Sequence, residues 1–153
     1  MNSNNILIIG KNSILTKYFK KYSKIKKKII SHKDINKINF DKFSHVINFS
    51  IDPRNFTHRY HHTNKIDMKI CKLIANKKCT YIFPSSRLIY SKEKKNFYGF
   101  NKKDAEKDII KIKKEFLILR ISTILMYDLS DRNLFISRAL NSLKKRNIIE
   151  LDL

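Results

Sequence analysis

Residues Ile6-Leu7-Ile8-Ile9-Gly10-Lys11-Asn12-Ser13-Ile14-Leu15-Thr16 decide the fold. Four aliphatic residues in a row, with no polar alternation, describe a strand covered on both faces, as in a parallel sheet. Gly10 stops that run. From Ser13 the apolar pattern becomes helical, with Ile14, Leu15, Tyr18, Phe19 and Tyr22 at three- and four-residue spacing. The basic run 24–28 is expected to close the helix on its solvated end. Strand, tight turn and helix in this order open a parallel α/β unit.

The same pattern continues outward. Residues 28–31 and 45–50 read as a second and a third strand. A helix is predicted over 64–76 on Ile66, Ile70, Leu73 and Ile74. Residues 80–83 form a strand expected to end at Pro84. A long helix follows over 97–114, with Phe97, Phe100, Ala105, Ile109 and Ile112 as its buried positions. Residues 116–119 read as a strand, 134–145 as a helix on Leu134, Ile136, Leu140 and Leu143, and 148–151 as a last strand. Alternating strands and helices, with strands apolar on both faces, predict an α/β doubly wound parallel sheet.

The 153 residues suffice for a single domain with a real core. Hydrophobic residues at 42% and charged residues at 31% fit a folded soluble protein better than a disordered chain. No apolar run reaches the roughly 18 residues of a membrane span, and the start lacks the basic region and cleavage site of a signal peptide. Cys71 and Cys79 have no partner pattern, so free thiols and a cytoplasmic location are expected. The net charge of +21 taken alone suggests a nucleic-acid partner. The accompanying abundance of Asn and Ile, with only two Gly, two Pro and no Trp, points instead to an A/T-rich coding bias. The lysines are also spread along the chain rather than gathered in one arm.

A helix N-terminus after a tight turn offers unpaired amides and partial positive charge to a dinucleotide pyrophosphate. Of a Gly-x-x-Gly-x-x-Gly spacing only Gly10 is present, with Ser13 and Thr16 at the other two positions. Tyr98 and Lys102 stand four residues apart, on one helical face. An ammonium beside a phenol favours the phenolate and suits a tyrosine to acid/base work. Ser85 and Ser86 follow a strand, where ligands of such folds bind. His58, His61 and His62 have a spacing that can serve a metal, but no Cys or carboxylate lies within a turn, so solvated histidines are expected. Asp104, Glu106 and Asp108 lie among lysines and read as a salt-bridged solvent face.

Taken together, the strand–Gly10–helix unit, Val46-Ile47-Asn48-Phe49-Ser50, Ser85-Ser86-x-x-Ile89-Tyr90, Tyr98-Gly99-x-x-Lys102-x-x-x-Glu106 and Leu119-Arg120-Ile121-Ser122 resemble a known family. It is the NAD-dependent epimerase/dehydratase family, extended short-chain dehydrogenases/reductases acting on nucleotide sugars. The resemblance implies a Rossmann-type domain over residues 1–153 with NAD or NADP as cofactor. It implies Tyr98 as catalytic acid/base, Lys102 as its pKa partner and ribose ligand, and Ser86 as the hydroxyl that polarises substrate. Gly10, Ser13, Ile14 and Leu15 match the pyrophosphate turn, Asp34 and Ile35 the pair beside the adenine, and Phe49 and Ser50 the strand end under the cofactor. A nucleotide sugar is the implied substrate, in surface-polysaccharide biosynthesis. Epimerase, dehydratase and reductase share this core. A homodimer through helices 64–76 and 97–114 is implied as well. The short segment between Tyr90 and Tyr98 departs from the family, and its C-terminal sugar-binding region is expected to begin at about where this sequence ends. Two alternatives stay open: a truncated or degenerate, non-catalytic Rossmann domain, and a basic nucleic-acid-binding protein.

Overall fold

The β1 run pairs on both sides. In the computed structural model, which describes residues 5–60 and 65–122, β1 (Ile6–Ile9) lies between β2 (Lys27–Ile30) and β3 (His45–Asn48). All pairings are parallel and in register, Ile9 standing opposite Ile30 and Asn48. β4 (Thr80–Ser86) and β5 (Phe116–Ile121) extend the sheet to the order β2-β1-β3-β4-β5. The predicted doubly wound α/β sheet is therefore the observed one. The helices are α1 (Ile14–Tyr22), α2 (Ile66–Ile74) and α3 (Phe97–Ile112). Short 3-10 turns occupy His32–Lys37, Phe40–Lys42, Pro53–Phe56 and Arg87–Tyr90.

Strand pleating divides the core in two. Leu7, Ile9, Val46, Tyr81 and Phe83 point to one face and pack with Ile70 and Ile74 of α2 and Ala105 and Ile109 of α3. Ile6, Ile8 and Ile47 point to the other, where Phe19 of α1 covers them. Leu7, Ile8 and Ile9 are wholly buried, each contributing roughly 1.5–3 kcal/mol by removal from water. Among the described residues, no helix is long and apolar enough to cross a membrane.

Four expectations are corrected. The basic run does not close α1: the helix ends at Tyr22, and Lys27 and Lys28 join β2 so that Ile29 and Ile30 can lie beside β1. The Lys27 ammonium turns back and donates to the carbonyl of Ser23, the residue capping that helix. Pro84 does not end β4, which runs to Ser86 paired with β5. The Tyr81 amide donates toward β5, to Glu115, so by alternation the Pro84 nitrogen faces β3. Its missing N–H ends the β3–β4 ladder at Ile47 opposite Ile82. β5 is not covered on both faces, since Leu117 and Leu119 are exposed. Last, the buried face of α3 is largely polar: Asn101, Lys102 and Glu106 are buried with Ala105 and Ile109, while Phe97 and Phe100 are only half-buried. The predicted helix 134–145 and strand 148–151 lie outside the described residues.

Candidate active site

The chain leaves β1 toward β2 on one side and later returns to β3 on the other. Such a reversal opens a crevice at the carboxyl ends of the two strands. Gly10 makes the turn there with φ +112°. A Cβ at this position would lie 2.6 Å from the Ser50 nitrogen and 2.8 Å from the Phe49 carbonyl carbon. The close approach that demands glycine is thus between two strand ends of the protein. The Gly10 and Lys11 amides donate to the Ile30 carbonyl at 3.0 and 3.1 Å. The Gly10 carbonyl accepts the Ser13 amide at 2.9 Å and the buried Thr16 hydroxyl at 2.7 Å. Thr16 closes the turn from inside rather than merely occupying a glycine position.

Ser13 is the N-cap of α1, yet its side chain makes no capping bond, and the first turn holds no acid. The amides of that turn are left for an external anion. Ser13, Ile14 and Leu15 are half-buried around them. Phe49 turns its ring toward Phe19, 6.3 Å away. Ser50 is buried, and both its amide (3.0 Å) and its hydroxyl donate to the Asn48 side-chain oxygen. Asp34 is exposed in the 3-10 turn after β2, whereas Ile35 belongs to the core with Ile9 and Ile30. Of that pair, only Asp34 presents its side chain at the surface. These residues lie at the carboxyl ends of β1, β2 and β3.

Tyr98 and Lys102 stand one turn apart at the start of α3. The seating of that turn explains Gly99. A Cβ there would overlap the Leu88 carbonyl and the Asn96 amide. The N-cap Asn96 accepts the Gly99 amide at 3.0 Å and donates to the Leu88 carbonyl at 2.6 Å. Leu88 lies in the turn headed by Ser86, whose hydroxyl accepts the Leu88 amide at 3.2 Å. The first turn of α3 is therefore bolted to the end of β4. Ser85 is buried, its hydroxyl without a partner among the described residues.

Lys102 is buried, its ammonium 4.4 Å from the Phe83 ring centre and 5.8 Å from that of Tyr98. Tyr98 stacks on Phe56 at 4.8 Å. Burial, followed by the negative charge of Asp67, pushes the Tyr98 hydroxyl up to about 12. The lowering expected from a neighbouring lysine is not what the geometry gives. Burial outweighs it, and the Lys102 ammonium is itself paired, 3.5 Å from the Asp67 carboxylate, both buried.

Asp67 was not singled out in the sequence, nor were Asn48, Tyr60 and Asn101. Asp67 accepts from the Asn48 amide and from the Tyr60 hydroxyl at 2.7 Å. Ser50, Asn48, Asp67 and Lys102 thus form one buried chain from the crevice to α3. The signal lay in the helical period, since Asp67 shares the buried face of α2 with Ile70, Cys71 and Ile74. Asn101 accepts the Tyr60 amide at 2.7 Å and donates to the carbonyls of Asn55 at 3.1 Å and His58 at 2.7 Å. This clasp holds the segment carrying Phe56 against α3. Of the acids expected on a solvent face, Asp104 pairs with Arg59 at 2.7 Å, but Glu106 is buried and held by Arg120 at 2.9 and 3.1 Å. Arg120 also donates to the Tyr90 hydroxyl at 2.7 Å. His58 is exposed, and His61 and His62 lie outside the described residues. Among the described residues, no three metal-ligating side chains cluster.

Comparison with solved structures agrees with this architecture. A dTDP-4-dehydrorhamnose reductase from Yersinia enterocolitica superposes with a TM-score of 0.68 at 15% identity, over 93% of this chain and 60% of that one. A dTDP-4-dehydrorhamnose reductase from Clostridium acetobutylicum gives 0.63 at 18% identity, over 92% and 60%. The capsular polysaccharide assembling protein CapF from Staphylococcus aureus gives 0.64 at 13% identity, over 97% and 43%. The fold is Rossmann-type. The chain spans about 60% of the length of the two reductases. No protein-family model matches the sequence, and no curated protein is similar to it in sequence.

Proposed function

We propose that the chain is the cofactor-binding core of a nucleotide-sugar reductase, in which a keto sugar is reduced to the alcohol by NADH or NADPH. The observation that carries this reading is the setting of Tyr98: a half-buried phenol one turn from Lys102, on a helix turn bolted to Ser86 at the end of β4. The uncapped first turn of α1 beside the β1–β3 crevice supports a dinucleotide. The names of two similar structures support a keto-sugar substrate.

When bound, the reduced nicotinamide supplies the hydride. Tyr98, protonated at neutral pH, donates its proton to the carbonyl oxygen. The Ser86 hydroxyl would hydrogen-bond the same oxygen, and Lys102 would balance the phenolate left behind and reach the ribose. The amides of Ile14 and Leu15, with Ser13, would meet the pyrophosphate over Gly10, Phe49 and Ser50, and Asp34 would stand toward the adenine. A raised Tyr98 disfavours the phenolate that the oxidative first step of an epimerase or dehydratase would need as its base. A second copy of the chain is the proposed partner, supported by exposed Leu73 on α2 and Ile110 on α3.

The test is oxidation of NADH or NADPH in the presence of dTDP-4-keto sugars, with wild type and Tyr98→Phe compared. Turnover that falls at least about 100-fold in Tyr98→Phe is expected. Dinucleotide binding with turnover that ignores Tyr98→Phe would contradict it.

A further inference from the structure

The Tyr98–Lys102 pair has a third member. Asp67 enters from α2 with its side chain only 1% exposed. Its two oxygens face Asn48, Tyr60 and Lys102. No solvent screens the Lys102 pairing, since the lysine side chain is only 6% exposed. Two other acids of α3 are paired elsewhere: Asp104 with Arg59 and Glu106 with Arg120. The remaining titratable groups around the cluster are Tyr81 of β4 and Cys71 of α2, both buried and uncharged at neutral pH. The Lys102 ammonium, 5.8 Å from the Tyr98 ring centre, thus has its charge paired by Asp67.

We propose that Asp67 is a positioning residue that neutralises Lys102 and so keeps Tyr98 a phenol, committing the site to proton donation. This rests on the reductase reading and adds its direction. The step balances as hydride from the reduced nicotinamide to the carbonyl carbon and the phenol proton to the carbonyl oxygen, with the phenolate re-protonated from solvent. An unneutralised ammonium would stabilise the phenolate in the resting site and lower the pH at which Tyr98 gives up its proton. Burial of Tyr98 acts in the same sense as Asp67.

The experiment is a pH titration of the cofactor-free 153-residue protein carrying ring-13C tyrosine, with Tyr98 assigned by loss of its signal in Tyr98→Phe. In Asp67→Asn the Tyr98 midpoint should fall by at least about one pH unit, because Lys102 keeps its charge. In Asp67→Asn/Lys102→Met the midpoint should return to near the wild-type value, since burial alone is left. An unmoved midpoint in Asp67→Asn overturns the proposal. So does an equal fall in the double variant, which would mean that Asp67 acts by its own charge and not through Lys102. If Asp67→Asn does not fold, the lysine ammonium resonances of the wild type decide. A slowly exchanging Lys102 signal, absent in Lys102→Met, supports the pair, and a freely exchanging Lys102 overturns it. No cofactor enters these measurements. A protein that titrates as expected but binds no dinucleotide therefore loses the reductase reading and not the Asp67 pairing.

Discussion

Gly10 has two reasons to be glycine, and neither needs a ligand. Its φ of +112° strains any other residue, and a Cβ would overlap the backbone of Phe49 and Ser50, just after β3. Strain of this kind costs about 1–3 kcal/mol, and overpacking adds about the same. Gly10→Ala should therefore lose about 2–5 kcal/mol in urea denaturation, and a loss below about 0.5 kcal/mol would show that the turn relaxes freely. The sequence marks Gly10 clearly, because a glycine ending an aliphatic run has few other uses. It does not mark Thr16, which by spacing is only a missing glycine. The structure makes it the inner strut of the turn. Two substitutions separate these readings. Thr16→Gly should lose about 1–2 kcal/mol, from helix propensity and a buried hydrogen bond. Ser13→Gly should change stability by only a few tenths of a kcal/mol, while admitting a pyrophosphate more closely. Tighter dinucleotide binding in Thr16→Gly than in Ser13→Gly would reverse the assignment.

Elements were legible where apolar side chains alone decide. β1 is a short aliphatic run and β3 is centred on Val46 and Ile47, and both were placed within two residues of their observed ends. Pro84 misled because the direction of its missing N–H depends on strand register, which sequence does not state. α3 misled in a different way. Its existence and start were legible, but apolarity marked the wrong face. Asn101, Lys102 and Glu106 are buried because each finds its partner on another element: Asn101 on the segment 55–60, Lys102 on α2, Glu106 on β5. Such partners are distant in sequence, so periodicity cannot reveal them. The same fact limited the reading of the site. Tyr98, Lys102 and Ser86 stand in recognisable spacing, whereas Asp67 and Asn48 matter only through three-dimensional contact. The Asn101 clasp is the element-scale test. Asn101→Ala removes three hydrogen bonds and leaves buried groups unpaired, at about 1–3 kcal/mol for each orphaned group. Amide hydrogen exchange at Tyr60 should speed by at least tenfold, and unchanged exchange would mean that Asn101 does not hold this segment.

The chain combines a charge of +21 with, among the described residues, three tyrosines whose ionisation is opposed by burial. The Tyr98 hydroxyl, pushed up to about 12, lies above the unfolded value of about 10. A folded value above the unfolded one means stability fully present below about pH 10 and lost as pH rises toward 12. Tyr60 and Tyr81 are raised in the same direction, so they extend the loss upward. Lysines titrate in this window too, which makes a comparison with Tyr98→Phe necessary. Wild type should lose up to about 2–3 kcal/mol more than Tyr98→Phe between pH 10 and 12, read from urea midpoints. Parallel curves would mean that Tyr98 is accessible to ionisation in the folded state.

At this scale the most direct measurement is a calorimetric titration of the protein at physiological salt with NADH, NADPH and a single-stranded oligonucleotide. A crevice at the β1–β3 reversal, with an uncapped helix N-terminus and the Tyr98–Lys102 turn beside it, predicts saturable 1:1 binding of at least one dinucleotide. The two dinucleotides should compete, and the oligonucleotide should not displace them. Failure of both to saturate by about 1 mM, near −4 kcal/mol of binding free energy, together with tight oligonucleotide binding, would contradict the account and leave the positive charge as the functional feature.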